Sequence, residues 1–121
     1  MTDEDLERWA GVDEWLERVG GVYGMDGERI TAREWSYLLE HPELRRVGRD
    51  QIGDVLVSTV LLGLDHSYGV GPPLIFETMI FGESHALDQE QWRYATREEA
   101  LEGHARAVEI VRLEQALAES T

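Results

Sequence analysis

Hydrophobic residues follow a helical spacing near both ends of the chain. At the N-terminal end they recur every three or four residues, which predicts an amphipathic helix from its cap, Thr2, to about Val19. Near the C-terminal end, Thr96 and Glu99 form a capping box that opens a second helix, which runs to about Ala118. Each helix has one apolar stripe, so we expect both to pack against the rest of the fold.

A small hairpin and a third helix precede the middle of the chain. Residues 22–30 surround an Asp-Gly pair, which is typical of a tight β-hairpin turn. Thr31 and Glu34 form another capping box at the start of a short helix. Pro42 ends that helix because its ring is incompatible with a helix interior.

Four segments in the middle of the chain, bounded by turn residues, predict strands over residues 45–52, 55–65, 74–81 and 91–95. Short connections favour an antiparallel arrangement of these strands. The second segment is apolar on both faces, so we expect it to be a central strand that is covered on both sides. The C-terminal helix can cover one side, and the N-terminal helices or a second copy of the chain must cover the other.

The predicted fold class is α+β, an antiparallel β-meander of about four strands packed by a C-terminal helix, with N-terminal helices and a small hairpin. A chain of 121 residues with 42% hydrophobic residues is sufficient for one core. We expect a single domain over residues 1–121, with a compact core in 22–112 and a peripheral helix in 1–19.

The chain is strongly acidic, with 25 Asp and Glu against 11 basic residues, all of them Arg, and a formal net charge of -14. Such a charge repels nucleic acids and anionic membranes, so we expect no direct binding to either. Most of the excess lies in the terminal segments, where charged helix faces are usually no more than solvated surface. The alternative is an acidic decoy that mimics nucleic acid and occupies a basic protein.

The sequence favours a cytoplasmic protein. It contains no cysteine, its N-terminus has no secretory signal, and its longest apolar stretch, residues 55–64, is too short to cross a membrane. An uncovered apolar sheet face or an edge strand would also favour self-association, for which a homodimer is the simplest closed form.

Several short motifs carry a resemblance to a known family. They are Tyr23-Gly24-Met25-Asp26-Gly27, Ile52-Gly53-Asp54, Val57-Ser58-Thr59-Val60, Leu62-Gly63-Leu64-Asp65-His66, Gly71-Pro72-Pro73, Phe76-Glu77-Thr78-Met79 and Trp92-Arg93-Tyr94-Ala95-Thr96. Over residues 22–112 the chain resembles a family of small proteins from actinobacteria and their phages. No activity is assigned to that family, so the resemblance implies a genomic setting and a compact fold but no catalytic residue.

The loop after the second predicted strand contains the first group of candidate binding residues, Asp65, His66, Tyr68 and Gly71. An Asp beside a His can orient an imidazole, and loops at strand ends commonly hold functional groups. Consecutive strand residues point to opposite faces, however, so the pair shares a pocket only if the strand has ended. The alternative is a turn in which Asp65 accepts hydrogen bonds from loop amides.

Glu77, Arg93 and His104 complete the set of candidate ligand- or partner-binding residues. Glu77 lies in an apolar strand and needs a partner if it is buried, and Arg93 on the next strand is the nearest cation. His104 lies on the apolar stripe of the C-terminal helix beside Gly103. It is either a buried residue hydrogen-bonded to a neighbouring strand or, with Gly103 allowing a close approach, a ring aimed at the loop of residues 65–73.

Motifs for a metal, a cofactor or a nucleophile are missing from the sequence. The four His residues are spaced too widely to present two nitrogens to one metal, so we expect neither a metal nor a cofactor. The Gly-rich segment 69–73 ends in two prolines and opens no helix, which excludes a phosphate loop. No Gly-x-Ser-x-Gly surrounds a serine.

Two classes of function remain. The first is a non-enzymatic accessory binding protein of the phage or prophage type, which acts on a host protein or sequesters a small signalling molecule, with the loop of residues 65–73 as the contact. The second is a small hydrolase that uses His66 or His104 with Asp65 or Glu77. Convergence of these imidazoles and carboxylates in the fold would favour the hydrolase.

Overall fold

The computed structural model describes residues 2–67, 69–83 and 85–120, which adopt the predicted α+β fold. In chain order the elements are α1 (Asp3–Arg18), α2 (Ala32–Glu40), α3 (Pro42–Arg45), β1 (Arg46–Ile52), β2 (Val55–Leu61), β3 (Phe76–Phe81), β4 (Gln91–Tyr94) and α4 (Arg97–Glu119). No helix in the described part of the chain is long and apolar enough to span a membrane.

Threonine caps fix where the three longer helices begin. The hydroxyls of Thr2, Thr31 and Thr96 each accept a hydrogen bond from the backbone N–H three residues further on. These bonds satisfy N–H groups that the first turn of a helix leaves free. Pro42 has a second effect beyond ending α2, because it stands at the first position of α3, where its missing N–H is not needed.

The four strands form one antiparallel sheet in the order β1-β2-β3-β4. The second predicted strand is therefore central, as expected, but it ends at Leu61 rather than at residue 65. Gly63, whose φ is +86°, turns the chain away, and a Cβ there would lie 2.6 Å from the Trp35 indole nitrogen. A residue other than glycine would be strained at this position.

Helix α4 covers one face of the sheet and contacts all four strands. The alternate residues of β2 that point toward it, Val55, Val57, Thr59 and Leu61, are all buried. The largest share of the core lies in this layer, where Val55, Val57 and Ile80 pack against Ala107, Val108 and Val111. Burial of these aliphatic side chains is the main stabilising term of such a small domain.

The other face of the sheet is not covered by a described helix, so the N-terminal helices are not the predicted cover on this side of β2. Cover by a second copy of the chain stays a prediction. The register places on this face the apolar Leu56, Val60, Met79 and Phe81 and the charged Arg46, Arg49, Glu77 and Arg93. None of the four apolar residues belongs to a buried cluster, and Phe81 is 44% exposed. We call this surface the open face.

The N-terminal helices pack at one end of the sheet instead. Leu16 of α1 lies in a buried cluster with Val22 and Ala32, and Leu64 packs against it. The Asp13 carboxylate accepts a hydrogen bond of 2.6 Å from the Ala32 backbone N–H, which fixes α1 to the start of α2. These helices therefore complete the core at its end and leave the broad surface of the sheet free.

Candidate functional site

His104 lies at the centre of a hydrogen-bonded chain between α4 and the sheet. Its Nδ1 is 2.7 Å from Thr59 Oγ1, and its Nε2 is 2.7 Å from Asp50 Oδ2. Thr59 Oγ1 is in turn 2.6 Å from Thr78 Oγ1, to which the Tyr94 hydroxyl donates at 3.1 Å. The chain of polar groups therefore joins all four strands to α4.

One direction of donation satisfies every member of this chain. In this direction Tyr94 donates to Thr78, Thr78 to Thr59, and Thr59 to Nδ1 of His104, whose Nε2–H donates to Asp50. Both threonines have no exposed surface, so an unpaired hydroxyl there would be costly. Linked hydrogen bonds that run in one direction also strengthen one another.

Two glycines make room for this chain. The register of β1 shifts between Arg46 and Gly48, a bulge that turns Gly48 toward α4 directly beneath the His104 ring. Gly103 stands against the Tyr94 hydroxyl, with no space for a side chain between them. Gly103 therefore lets α4 lie close to the sheet, although the prediction linked that close approach to a ring aimed at the loop of residues 65–73.

Asp50, His104 and Thr59 stand in the order carboxylate, imidazole, hydroxyl, which activates the nucleophile in many hydrolases. Thr59 is completely buried, so no substrate carbon can approach its Oγ1. Asp50 is the exposed end of the chain, with 49% of its side chain accessible. This geometry suits a structural role, in which the hydrogen bonds of His104 hold α4 against the sheet, rather than a catalytic role.

The ring of His104 does not turn toward the loop of residues 65–73, which was one of the two predicted placements. Both ring nitrogens have partners on strands β1 and β2. The other placement, a buried His hydrogen-bonded to a neighbouring strand, is the one that the fold adopts.

Asp65 closes the loop between β2 and β3. Its Oδ1 accepts hydrogen bonds from the backbone N–H groups of Ser67 and Leu74, at 2.8 and 2.9 Å, and its Oδ2 accepts one from the Ser67 hydroxyl. Partial burial raises the pKa of Asp65, but these hydrogen bonds and the nearby His66 outweigh it, so the net pKa lies below its ordinary value. Asp65 therefore adopts the predicted turn role and joins the two ends of the loop.

The other loop residues do not form a pocket with Asp65. The His66 Nδ1 is 2.8 Å from the Leu64 carbonyl oxygen, so this ring is bonded locally. Gly71 is exposed and has a φ of +75°, a conformation that favours glycine. Val70 is 79% exposed at the surface of the loop. Tyr68 lies outside the described residues.

Glu77 and Arg93 form the ion pair that the sequence predicts. They are directly opposite each other on β3 and β4, with 3.0 Å between Arg93 Nε and Glu77 Oε2. Their side chains are 14% and 29% exposed, respectively. The pair lies on the open face, so it neither contacts His104 nor contributes to one catalytic pocket with it.

Arg46 and Arg49 are positively charged residues that sequence reasoning did not single out. The register sets Arg46 opposite Val60 and Arg49 opposite Ser58, so both belong to the open face. Both are exposed, and neither has an ion-pair partner among residues 2–67, 69–83 and 85–120. Simple alternation would place these two residues on opposite faces of β1. They share a face because the bulge between Arg46 and Gly48 shifts the register, which the sequence pattern does not show.

A groove of about 920 Å³ lies at the end of the sheet opposite the N-terminal helices, lined in part by Asp54, His85 and Gln115. Here the His85 Nδ1 accepts a hydrogen bond from the Leu87 N–H at 3.1 Å. In the described part of the chain, no group of three or more His, Asp or Glu side chains is arranged to hold a metal ion.

The sequence-based candidates thus separate into three places: the loop, the cross-strand ion pair and the buried chain of His104. No family model matches the sequence, and comparison with curated proteins and with solved structures found no match. The function must therefore be argued from the geometry.

Proposed function

We propose that this chain is a non-enzymatic accessory binding protein, of the kind that phages and prophages carry, and that it binds another protein through its open face. The observation that carries this proposal is the separation of the groups that could have formed a catalytic site. His66, Asp65 and His104 each have their own local partners, as Glu77 has Arg93. Binding requires no such convergence.

The open face supports this proposal because it combines exposure with apolar and charged side chains. Leu56, Val60 and Met79 are partly exposed in the middle of the sheet, with arginines at both of its edges. Arg, Met and Phe are enriched at protein interfaces, and the core of an interface is more apolar than its rim. The loop of residues 65–73 is the other candidate surface, since Asp65 fixes its ends and Val70 is exposed.

Affinity capture from a bacterial host extract, followed by native mass spectrometry, tests the proposal. The unmodified protein is compared with Ser58→Tyr, which places a large side chain in the centre of the open face, and with Val70→Ser in the loop. We expect a host protein to be captured by the unmodified chain and by Val70→Ser but not by Ser58→Tyr. Circular dichroism and thermal unfolding confirm that the variants are folded.

Other outcomes of the capture would overturn parts of this proposal. Loss of the partner only with Val70→Ser would move the contact to the loop. Loss only with the double variant Glu109→Gln/Glu114→Gln, which neutralises one exposed and one half-buried acid of α4, would favour the acidic decoy. Copurification of a small molecule without any protein would show that the chain binds a ligand instead of a protein partner.

A further inference from the structure

The open face is a positively charged surface on a chain of net charge -14. It carries three arginines and one glutamate, and that glutamate is already paired with Arg93. Arg46 and Arg49 stay exposed and unpaired within the described ranges, on the edge strand β1. A binding partner that meets these two guanidinium groups with carboxylates gains charge-assisted hydrogen bonds there.

The apolar part of the open face lies beside these arginines. Leu56 and Phe81 are directly opposite each other on β2 and β3, and Val60 and Met79 continue the patch along the two strands. The register sets Arg46 next to Val60 in the same row. A complementary surface therefore needs an apolar stripe with acidic residues along one side.

The dimensions of the open face match one α-helix. Strand β2 has seven residues, which span about 23 Å, the length of a helix of about 15 residues. Four strands spaced about 4.8 Å apart give a width of about 14 Å, against a helix diameter of about 10–12 Å. Helix α4 already packs on the other face through a single apolar stripe.

We propose that the occupant of the open face is an acidic amphipathic helix of the partner protein, an inference that rests on the proposed function. Its apolar stripe packs on Leu56, Val60, Met79 and Phe81, and its carboxylates contact Arg46 and Arg49. The helix forms a third layer, so that the sheet lies between it and α4.

A second copy of the chain is a poorer occupant. Two open faces packed together would bring arginines against arginines, which is unfavourable. The outer surface of α4 is acidic and exposes Ile110 and Leu113, but it lies on the opposite side of the sheet from the open face. Contact between those two surfaces is heterologous and does not close into a dimer with twofold symmetry.

A nucleic acid is also a poorer occupant of the open face. Platforms for single strands stack bases on several aromatic side chains, whereas Phe81 is the aromatic residue that the register places here. The acidic remainder of the chain repels a polyanion along its whole length. A short acidic helix that ends with the open face extends less far along the acidic chain than a polyanion does, so it is repelled less.

Two synthetic 18-residue helical peptides test the inference. They share one leucine stripe and carry either Glu or Lys at all flanking positions, and their binding to the full chain is followed by NMR and calorimetry. We expect the Glu peptide to shift the amide signals of β2 and β3 and to bind about tenfold more tightly than the Lys peptide. The double variant Arg46→Glu/Arg49→Glu should reverse this preference.

Two controls keep this result specific. Arg112→Glu makes a charge reversal at an exposed arginine of α4 and should leave the preference for the Glu peptide unchanged. Arg46→Gln/Arg49→Gln should abolish the preference for the Glu peptide without reversing it. This variant replaces Arg46→Glu/Arg49→Glu in the test if the charge-reversed chain does not fold.

Several results would overturn the inference. Equal affinities for the two peptides would remove the acidic requirement, and tighter binding of a dT15 oligonucleotide through Arg46 and Arg49 would assign the face to nucleic acid. A dimer in light scattering that dissociates on Arg46→Glu/Arg49→Glu would assign it to a second copy. A captured host protein that is lost with Ser58→Tyr but retained with this double variant would refute the acidic helix and leave the proposed function intact.

Discussion

The imidazole of His104 fills the space above Gly48. A Cβ at Gly48 would lie 2.7 Å from both Cδ2 and Nε2 of that ring, closer than real Cβ contacts allow. The bulge in β1 and the absence of a side chain at Gly48 together allow a His on a helix to reach hydroxyls in the middle of a sheet. The central polar chain of the core thus depends on a glycine 56 positions away in sequence.

Replacement of this glycine tests the packing directly. Gly48→Ala should lower the free energy of unfolding by about 1–3 kcal/mol, because the new methyl group forces the His104 ring or the strand to move. Chemical denaturation of the purified variant measures the change. A two-dimensional NMR spectrum should show shifted signals for Thr59 and Asp50, whose hydrogen bonds depend on the ring position.

Gly11→Ala provides the matched control for this substitution. Gly11 lies within α1, and a Cβ there meets no atom within 4 Å. The same chemical change should therefore stabilise the chain by up to about 1 kcal/mol through helix propensity. If Gly48→Ala were as well tolerated as Gly11→Ala, the tight placement of His104 would be wrong.

Local signals in the sequence were sufficient to predict most of the fold. Thr2, Thr31 and Thr96 mark helix starts by a chemistry that involves only the next few residues. Two segments that are apolar on both faces located β2 and β3, and the short turn at Gly53-Asp54 located β1 beside β2. The error at the end of β2 arose because Leu62 and Leu64 continue its apolar run, whereas the chain direction changes at Gly63, where tertiary packing against Trp35 decides the conformation.

The buried hydroxyls should be energetically coupled. Thr59→Val keeps the side-chain shape but removes the hydroxyl that joins His104 to Thr78, and should cost about 1–3 kcal/mol of stability. The double variant Thr59→Val/Thr78→Val should cost less than the sum of its two single variants, since the second change removes a hydroxyl already left without its partner. Additive values from denaturation would show that the two residues act independently.

Substitution by Ala should destabilise the chain by very different amounts at two leucines of β2, because their side chains point to opposite faces of the sheet. Leu61 is fully buried toward α4, whereas Leu56 lies on the open face. Leu61→Ala should lower the free energy of unfolding by about 2–5 kcal/mol, and Leu56→Ala by less than about 1.5 kcal/mol. Similar losses at both positions in chemical denaturation would mean that the open face is covered in solution.

The candidate site was harder to predict than the fold. Asp50, Thr59 and Thr78 lie on three strands and meet only because the sheet register and α4 bring them together. Sequence spacing contains no information about that register. The pair of Glu77 and Arg93 could be predicted from the sequence, by contrast, because Arg93 is the cation on the strand that follows this half-buried carboxylate in the meander.

The loop carboxylate should make stability depend on pH in one direction. The folded-state pKa of Asp65 lies below its ordinary value, because hydrogen bonds from Ser67 and Leu74 outweigh the effect of partial burial. A group with a depressed folded pKa binds a proton less readily in the folded than in the unfolded chain. Its stabilising contribution is therefore present above the ordinary Asp pKa of about 4 and is lost as the pH falls through the folded value.

Asp65→Asn tests this dependence, because the amide oxygen can still accept the hydrogen bonds that Asp65 Oδ1 receives while the charge is removed. We expect Asn to lower the free energy of unfolding at pH 7 by about 1 kcal/mol or less, since the loop is partly exposed to solvent. The difference between the two proteins should shrink progressively when denaturation is repeated at pH values below about 4, as Asp65 becomes protonated. Ser67→Ala removes one of the donors and should change stability in the same direction by a smaller amount. A difference that stays constant or grows toward low pH would contradict the lowered pKa and the role of Asp65 in closing the loop.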